Sequence, residues 1–242
     1  MSKTSKPQDL IREIIAVDPE LGSKLKRLQD SGLHEEADFF ARRQAQDSMI
    51  PNMGNKLAYQ ALSTAHANDG IHVHVDLNDF GQINKYHGDA KGDEAIIRFG
   101  FLAQKISMAF DGKSMRSGGD EFKFWFPNTE AAFSFARELR TVLEKEGKIA
   151  GTHNLSASLG IGYNTVQAEK ALLTAKAQLG PMGPDGKRTN IHPVGNAPTV
   201  VNSELNEGPP LGWKEGDGSE ARSPVPLIQN GLTLNNPLRD RL

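Results

Sequence analysis

The sequence lacks several features that would assign a protein to a common functional class. Cysteine is absent from its 242 residues, which excludes disulfides and thiolate zinc sites. No apolar run approaches the about 20 residues of a membrane span, so we expect no contact with a membrane. The net charge is −2, and without a basic excess nothing points to nucleic acid as a partner. The N-terminus has no apolar stretch behind its charged start, so we expect no signal peptide and a cytoplasmic protein.

What the sequence does contain is a turn signal joined to a strand pattern. Phenylalanine alternates with other residues in the segment 121–126, a period of two that predicts a strand with one buried face. Gly118 and Gly119 precede this strand and predict a hairpin, because glycine accepts the positive φ of tight turns. Asp120 and Glu121 follow the turn, where two carboxylates can hold a hard cation near solvent. An ordinary hairpin with a charged tip accounts for the same four residues.

A second predicted strand lies earlier in the chain and also ends on an acid. Residues 71–75 alternate between apolar and polar, and Asp76 follows them. Two strands that each deliver one carboxylate suit Mg²⁺, which prefers oxygen ligands and takes one or two protein carboxylates with phosphates and waters. His72 and His74 lie on one face of this strand, and we interpret them as surface or edge residues rather than a metal site.

Together these segments resemble the GGDEF-domain family, the diguanylate cyclases. Residues 116–122, Arg-Ser-Gly-Gly-Asp-Glu-Phe, are similar to the family signature. Residues 75–85 resemble the family's first metal and base-recognition block, 55–59 its entry motif, and 156–162 its late strand. The four blocks stand in the family's order and cover roughly residues 50–179.

The resemblance implies an α/β fold, a palm-like βαββαβ sheet flanked by helices, and the order of predicted helices and strands agrees with it. We assign residues 47–180 to this GGDEF-like domain. Amphipathic helices in residues 1–46 either cap the domain or serve as a sensor or dimerisation element. Residues 181–242 are rich in proline and glycine, so we expect an extended tail, or an arm that docks on a protein partner.

The activity that the resemblance implies is the condensation of two GTP molecules into cyclic di-GMP, with Mg²⁺ or Mn²⁺ as the cofactor. It implies that Asp76, Asp120 and the Leu77 carbonyl bind the metal. Glu121 would complete the acidic cluster or help deprotonate the 3′-hydroxyl. One site holds one GTP, so two sites must face each other and a homodimer is expected.

Recognition of the base would fall to Asn84 and Asp93. A carboxylate can accept from both N1–H and N2–H of guanine, whereas adenine would leave it unpaired. Considered alone, Asn84 is also explained as a turn residue and Asp93 as the N-cap of a helix. Gly118 and Gly119 would let the backbone approach the phosphates, because they carry no Cβ.

Several positions depart from the family pattern. Asn78 replaces a second acid, and Gly81 replaces a lysine that would contact the triphosphate. The basic residues expected on the last helix have no clear match, with Lys187 or Arg188 as candidate substitutes. The product-inhibition motif would fall on residues 109–112, whose end residues do not fit. The alternative function is therefore a catalytically degenerate module that binds GTP or a protein partner, or has a structural role.

Overall fold

The computed structural model describes residues 7–146, 148–149, 153–178 and 199–202. Its helices are α1 Pro7–Val17, α2 Pro19–Asp30, α3 His34–Gln44, α4 Lys56–Ala65, α5 Phe80–His87, α6 Asp89–Ala109, α7 Thr129–Glu146 and α8 Thr165–Gln178. Its strands are β1 Ile71–Leu77, β2 Lys113–Gly118, β3 Glu121–Phe126, β4 Lys148–Ile149, β5 His153–Asn154, β6 Ala157–Gly162 and β7 Thr199–Asn202. The predicted α/β class with an antiparallel sheet is confirmed.

The main sheet has the strand order β2-β3-β1-β6-β7. β1 lies at the centre and pairs antiparallel with β3 on one side and β6 on the other. β2 and β3 form the predicted hairpin, and β7 adds a parallel strand next to β6. Because β1 is central, the residues at its end can meet groups from both halves of the chain.

One face of the sheet carries the hydrophobic core. Phe122, Phe124 and Phe126 are fully buried, as the alternating pattern predicts. The rings of Phe124 and Phe126 lie 4.6 and 4.9 Å from that of Phe135 in α7, which seats this helix on the hairpin. The N-cap of α7 is Asn128, whose side chain accepts from the Ala131 amide at 2.9 Å.

α8 covers the opposite face of the sheet at unusually close range. A Cβ added at Gly160 of β6 would overlap the Ala168 carbonyl and the Leu172 amide of α8. Ala168 and Ala171 also face the sheet and are fully buried. Small side chains on both elements therefore let the helix backbone lie directly on the strand.

The N-terminal helices form a second hydrophobic cluster. Asp18 accepts from the Leu21 amide at 3.0 Å and Pro19 is the first residue of α2, so a capping carboxylate and a proline begin this helix. The apolar side chains of the three helices pack on one another and on Ala61 of α4; they are Ile11, Ile14, Leu21, Leu25, Ala37, Ala41 and Ala45. Most of these apolar side chains are covered within the chain, as expected of a cap, whereas Phe39 of α3 is 72% exposed.

Three local features differ from the sequence interpretation. The helix α5 was not expected, because it is only eight residues long and contains Gly81. The helix α6 begins at Asp89 instead of Asp93. The short β4–β5 hairpin was also missed.

The predicted tail falls mostly outside the described residues. Residues 181–198 and 203–242 are not among them, and only β7 belongs to this part of the chain. Among the helices that the structure describes, none is long and apolar enough to span a membrane.

Candidate active site at the end of the central strand

The structure brings the predicted acids together at one end of the sheet. Asp76 in β1 lies directly opposite Glu121 in β3, so the two side chains share a face. The backbone amide of Leu77 donates to the Asp120 carbonyl at 3.2 Å, which ties the hairpin turn to the end of β1. Asp76 is only 8% exposed, whereas Glu121 is exposed. The site therefore has a buried acid from one strand and acids at the turn of its neighbour.

The turn between β2 and β3 depends on its glycines and on one arginine. Gly118 and Gly119 have φ values of +151° and +48°, a range that side chains with a Cβ adopt rarely. A Cβ added at either would meet nothing within 4 Å, so the space beside the turn is open to a ligand. The Arg116 guanidinium donates to the Gly119 carbonyl at 2.8 Å and pairs with Asp47 at 3.3 Å. These contacts hold the turn in place.

The two aspartates repel each other. Burial raises the pKa of Asp120, and the nearby charge of Asp76 raises it further. Lys176 of α8 opposes this effect, and its Nζ lies 2.9 Å from Asp76 Oδ2. A positive charge is therefore already part of the site.

Lys176 was missed by the sequence interpretation, which found no clear basic match on the last helix. Lys187 and Arg188, the substitutes considered there, lie outside the described residues. Lys176 follows the buried Leu172 by four positions, so it continues the stripe of α8 that faces the sheet. That spacing is the signal by which it could have been found.

The two carboxylates of the site, Asp76 and Asp120, are candidate ligands for a divalent cation. Within the described part of the chain, no cluster of three or more histidine, aspartate or glutamate residues could hold a metal alone. Mg²⁺ does not require one, since it commonly uses one or two carboxylates together with substrate phosphates and waters. The repulsion between Asp76 and Asp120 is the kind of strain that a cation relieves. The pair therefore fits a cation that binds together with phosphates.

The side chain of Asn78, at the position of the expected second acid, makes its hydrogen bonds to residues of the β6 segment. Its Oδ1 accepts from the Ser158 hydroxyl at 2.7 Å, and its Nδ2 donates to the Ser156 hydroxyl at 3.1 Å. The side chain therefore helps to attach the end of β1 to β6.

The candidate base-binding residues lie on the paired helices α5 and α6. A Cβ at Gly92 would overlap Asn84 Oδ1, so the glycine makes room for this amide. Asn84 Oδ1 is buried and has no hydrogen-bond partner among the described residues. Asp93 is exposed one position after Gly92. Both alternative explanations fail, because Asn84 lies within α5 and Asp93 lies inside α6 rather than at its N-cap.

His72 and His74 are not surface or edge residues, and that interpretation was wrong. They are 0% and 2% exposed, because β1 is central and α4 and α8 cover this face. The hydroxyl of Tyr59 from α4 lies 3.2 Å from His72 Nδ1 and 2.6 Å from His74 Nε2. On its other side, His74 Nδ1 lies 2.7 Å from Glu169 Oε2 of α8. We call Tyr59, His72, His74, Lys123 and Glu169 the polar cluster, in which the Glu169 side chain is 47% exposed.

The charges in this cluster follow from its contacts. Burial lowers the pKa of His74 to about 4, with the charge of Lys123 acting in the same direction. Burial alone would raise the pKa of Glu169, but the hydrogen bond from His74 and the charge of Lys123 outweigh it, so that pKa is lowered. A neutral His74 therefore donates from Nδ1 to an ionised Glu169 and accepts the Tyr59 hydroxyl proton at Nε2.

The chain belongs to the GGDEF-domain family. The family described as "Diguanylate cyclase, GGDEF domain" matches residues 52–181, which include the acids, the glycine turn and the two candidate base-binding residues. A comparison with curated protein sequences finds no match.

Solved structures of GGDEF domains share the fold. The coiled coil and GGDEF domain of DgcB from Caulobacter crescentus, crystallised with c-di-GMP, is 21% identical with a TM-score of 0.51, over 73% of this chain and 98% of that chain. Diguanylate cyclase SiaD from Pseudomonas aeruginosa, in complex with its activator SiaC, is 19% identical with a TM-score of 0.49, over 64% and 68%. At 21% identity the DgcB likeness establishes the fold and nothing finer.

Proposed function

We propose that the chain is a diguanylate cyclase that condenses two GTP molecules into cyclic di-GMP with a divalent cation. The observation that carries the proposal is the meeting of Asp76 and Asp120 beside an open glycine turn, with Lys176 next to them. Membership of the family supports the same activity.

In this reaction the 3′-hydroxyl oxygen of each GTP bonds to the α-phosphorus of the other, and the bond to the pyrophosphate leaving group breaks. Asp76, Asp120 and the Leu77 carbonyl would hold Mg²⁺ or Mn²⁺, which neutralises phosphate charge when bound. Glu121, exposed on the same face as Asp76, would take the proton of the 3′-hydroxyl. Lys176 would add positive charge beside the phosphates.

Guanine selectivity would come from Asn84 and Asp93. Asn84 Oδ1 is buried against Gly92 without a partner among the described residues, so a turn of this side chain toward the site would let it accept from the N2 amino group of guanine. The Asp93 carboxylate would accept from the same Watson–Crick edge, which adenine cannot satisfy. A ligand that fills both requirements is therefore a guanine nucleotide.

Because one chain presents one such set of residues, the complete reaction requires two chains. We therefore propose a homodimer in which two sites face each other. The tail after residue 180 is the candidate attachment point for a protein partner.

A second candidate function is a GTP-binding module without catalysis. Two observations favour it: the side chain of Asn78 is used to attach β6, and Gly81 is exposed with open space around it. Such a module would keep the guanine contacts of Asn84 and Asp93 and lose turnover.

Incubation of the pure protein with GTP and Mg²⁺ or Mn²⁺, with products resolved by mass, tests the proposal. We expect cyclic di-GMP and pyrophosphate, and no corresponding product from ATP. GTP binding without any product would favour the second candidate. The absence of both binding and product would reject both functions.

A further inference from the structure

The apolar contact between α8 and the sheet is close but is made mostly by small residues. These are Gly160, Gly162, Ala168, Ala171 and Ala175, and Leu172 is a large side chain buried with them. Packed elements are normally held in register by large side chains that fit into grooves, and this interface has few of them. Polar contacts must therefore contribute to the register of α8.

Two polar contacts join α8 to β1. Glu169 Oε2 lies 2.7 Å from His74 Nδ1, and Lys176 Nζ lies 2.9 Å from Asp76 Oδ2. Glu169 and Lys176 are separated by two helical turns, or about 10 Å. Their partners are two residues apart on one face of β1. The same helix and strand are therefore connected at two points.

The Glu169 contact has more partners than the Lys176 contact, although the two side chains are similarly exposed, at 47% and 40%. Its partner His74 is 2% exposed and is held from the other side by the Tyr59 hydroxyl at 2.6 Å. Lys123 of β3 adds a second bond to Glu169 at 3.2 Å. Glu169 is thus bound to two neighbouring strands, whereas Lys176 ends in a flexible ammonium group at the site.

We infer that Glu169 is a positioning residue, which holds α8 in the register that places Lys176 against Asp76. It does not reach the nucleotide itself and acts through Lys176. The effect on GTP rests on the proposed function, whereas the coupling of Glu169 to Lys176 does not.

A double-mutant cycle tests the effect on nucleotide binding. Kd for GTP is measured by calorimetry for the wild type, Glu169→Ala, Lys176→Ala and the double variant. We expect Glu169→Ala to raise Kd about fivefold and to have no further effect once Lys176 is absent. Equal effects of Glu169→Ala in both backgrounds would overturn the inference.

Two further variants separate positioning from general damage. Glu169→Gln keeps an oxygen that accepts from His74, so we expect Kd to return to within about twofold of the wild type. Thr174→Ala is the control on the same helix, because this exposed hydroxyl bonds only within α8. A change in Kd for Thr174→Ala that equals the change for Glu169→Ala would contradict a specific role.

A cycle on the free energy of unfolding tests the same coupling without nucleotide. Substitutions about 10 Å apart that share no partner normally add, so additive effects of Glu169→Ala and Lys176→Ala would overturn the inference. Non-additive effects would support the coupling of Glu169 to Lys176 even if the wild type bound no GTP. A wild type that bound no GTP would count against the proposed function and not against this coupling.

Discussion

Lys176 and Asp76 form an ion pair of 2.9 Å although they are 100 residues apart in the chain. The pair joins the last described helix to the central strand, at the end where the hairpin turn delivers Asp120. The acidic site thus already contains its own counter-charge. Substrate phosphates and a divalent cation would enter a site in which positive and negative groups are both in place.

Replacement of Asp120 should separate activity from stability. We expect Asp120→Asn to abolish cyclic di-GMP formation, because the variant loses a carboxylate that we propose binds the metal. Burial and the charge of Asp76 raise the pKa of Asp120, which means that the folded protein disfavours the charged form. The neutral Asp120→Asn variant should therefore have a free energy of unfolding that is higher than that of the wild type or within about 1 kcal/mol of it. Product assays and urea unfolding measure the two effects. The exposed Asp30→Asn variant is the control, and undiminished metal-dependent turnover in Asp120→Asn would refute the metal assignment.

Guanine selectivity should depend on Asp93. We expect Asp93→Ala to weaken GTP binding about tenfold and to reduce the preference over ATP, because an acceptor for the guanine edge is lost. Asp89→Ala changes an exposed acid in the first turn of the same helix and should leave Kd unchanged. Titrations with GTP and with ATP measure the ratio of the two Kd values. Equal affinity of the wild type for GTP and ATP would contradict the assignment.

The hydroxyl of Tyr59 should stabilise the fold. Tyr59→Phe leaves the facing nitrogens of His72 and His74 without a partner in a buried place. We expect the free energy of unfolding to fall by about 1–3 kcal/mol. Tyr163→Phe removes a hydroxyl from a residue that is 49% exposed and should change it little. Equal stability of the two variants would show that the buried hydrogen bonds contribute nothing net.

Acid should destabilise the protein before the carboxylates titrate. Burial lowers the pKa of both His72 and His74, that of His74 to about 4. At pH values between the unfolded pKa of about 6.5 and the lowered folded pKa, only the unfolded chain binds these protons. The free energy of unfolding is therefore highest above this range and falls as the pH drops through it. Protonation of His74 in the unfolded chain alone should lower the free energy of unfolding by about 1 kcal/mol between about pH 7.5 and 5.5. Urea unfolding at constant ionic strength measures this, and a constant stability would contradict it.

Feedback by the product should be weak. Residues 109–112 lack the arginine and aspartate of the family's product-inhibition motif, and a Cβ at Gly112 would overlap the Ser107 hydroxyl and the Phe126 ring. Without a guanidinium to bind the guanine and phosphate of cyclic di-GMP, micromolar product should leave the initial rate unchanged. Strong non-competitive inhibition would show that another surface binds the product.

The sequence was most informative where short-range patterns decide the structure. The alternating phenylalanines and the glycine pair predicted the β2–β3 hairpin. The burial of His72 and His74 could not be predicted, because it depends on α4 and on the distant α8, which cover this face of β1. The spacing of Lys176 along α8 could have placed it on the stripe that faces the sheet, whereas its pairing with Asp76 depends on how α8 packs.

The central position of β1 also makes the site depend on pairing between distant segments of the chain. Its neighbours β3 and β6 both come from segments far downstream, so their pairing carries a larger chain-closure cost than the local β2–β3 hairpin. During synthesis on the ribosome, Asp76 emerges long before the helix that carries Lys176. A chain arrested before residue 157 would present one whole edge of β1 to other chains, as a template for aggregation.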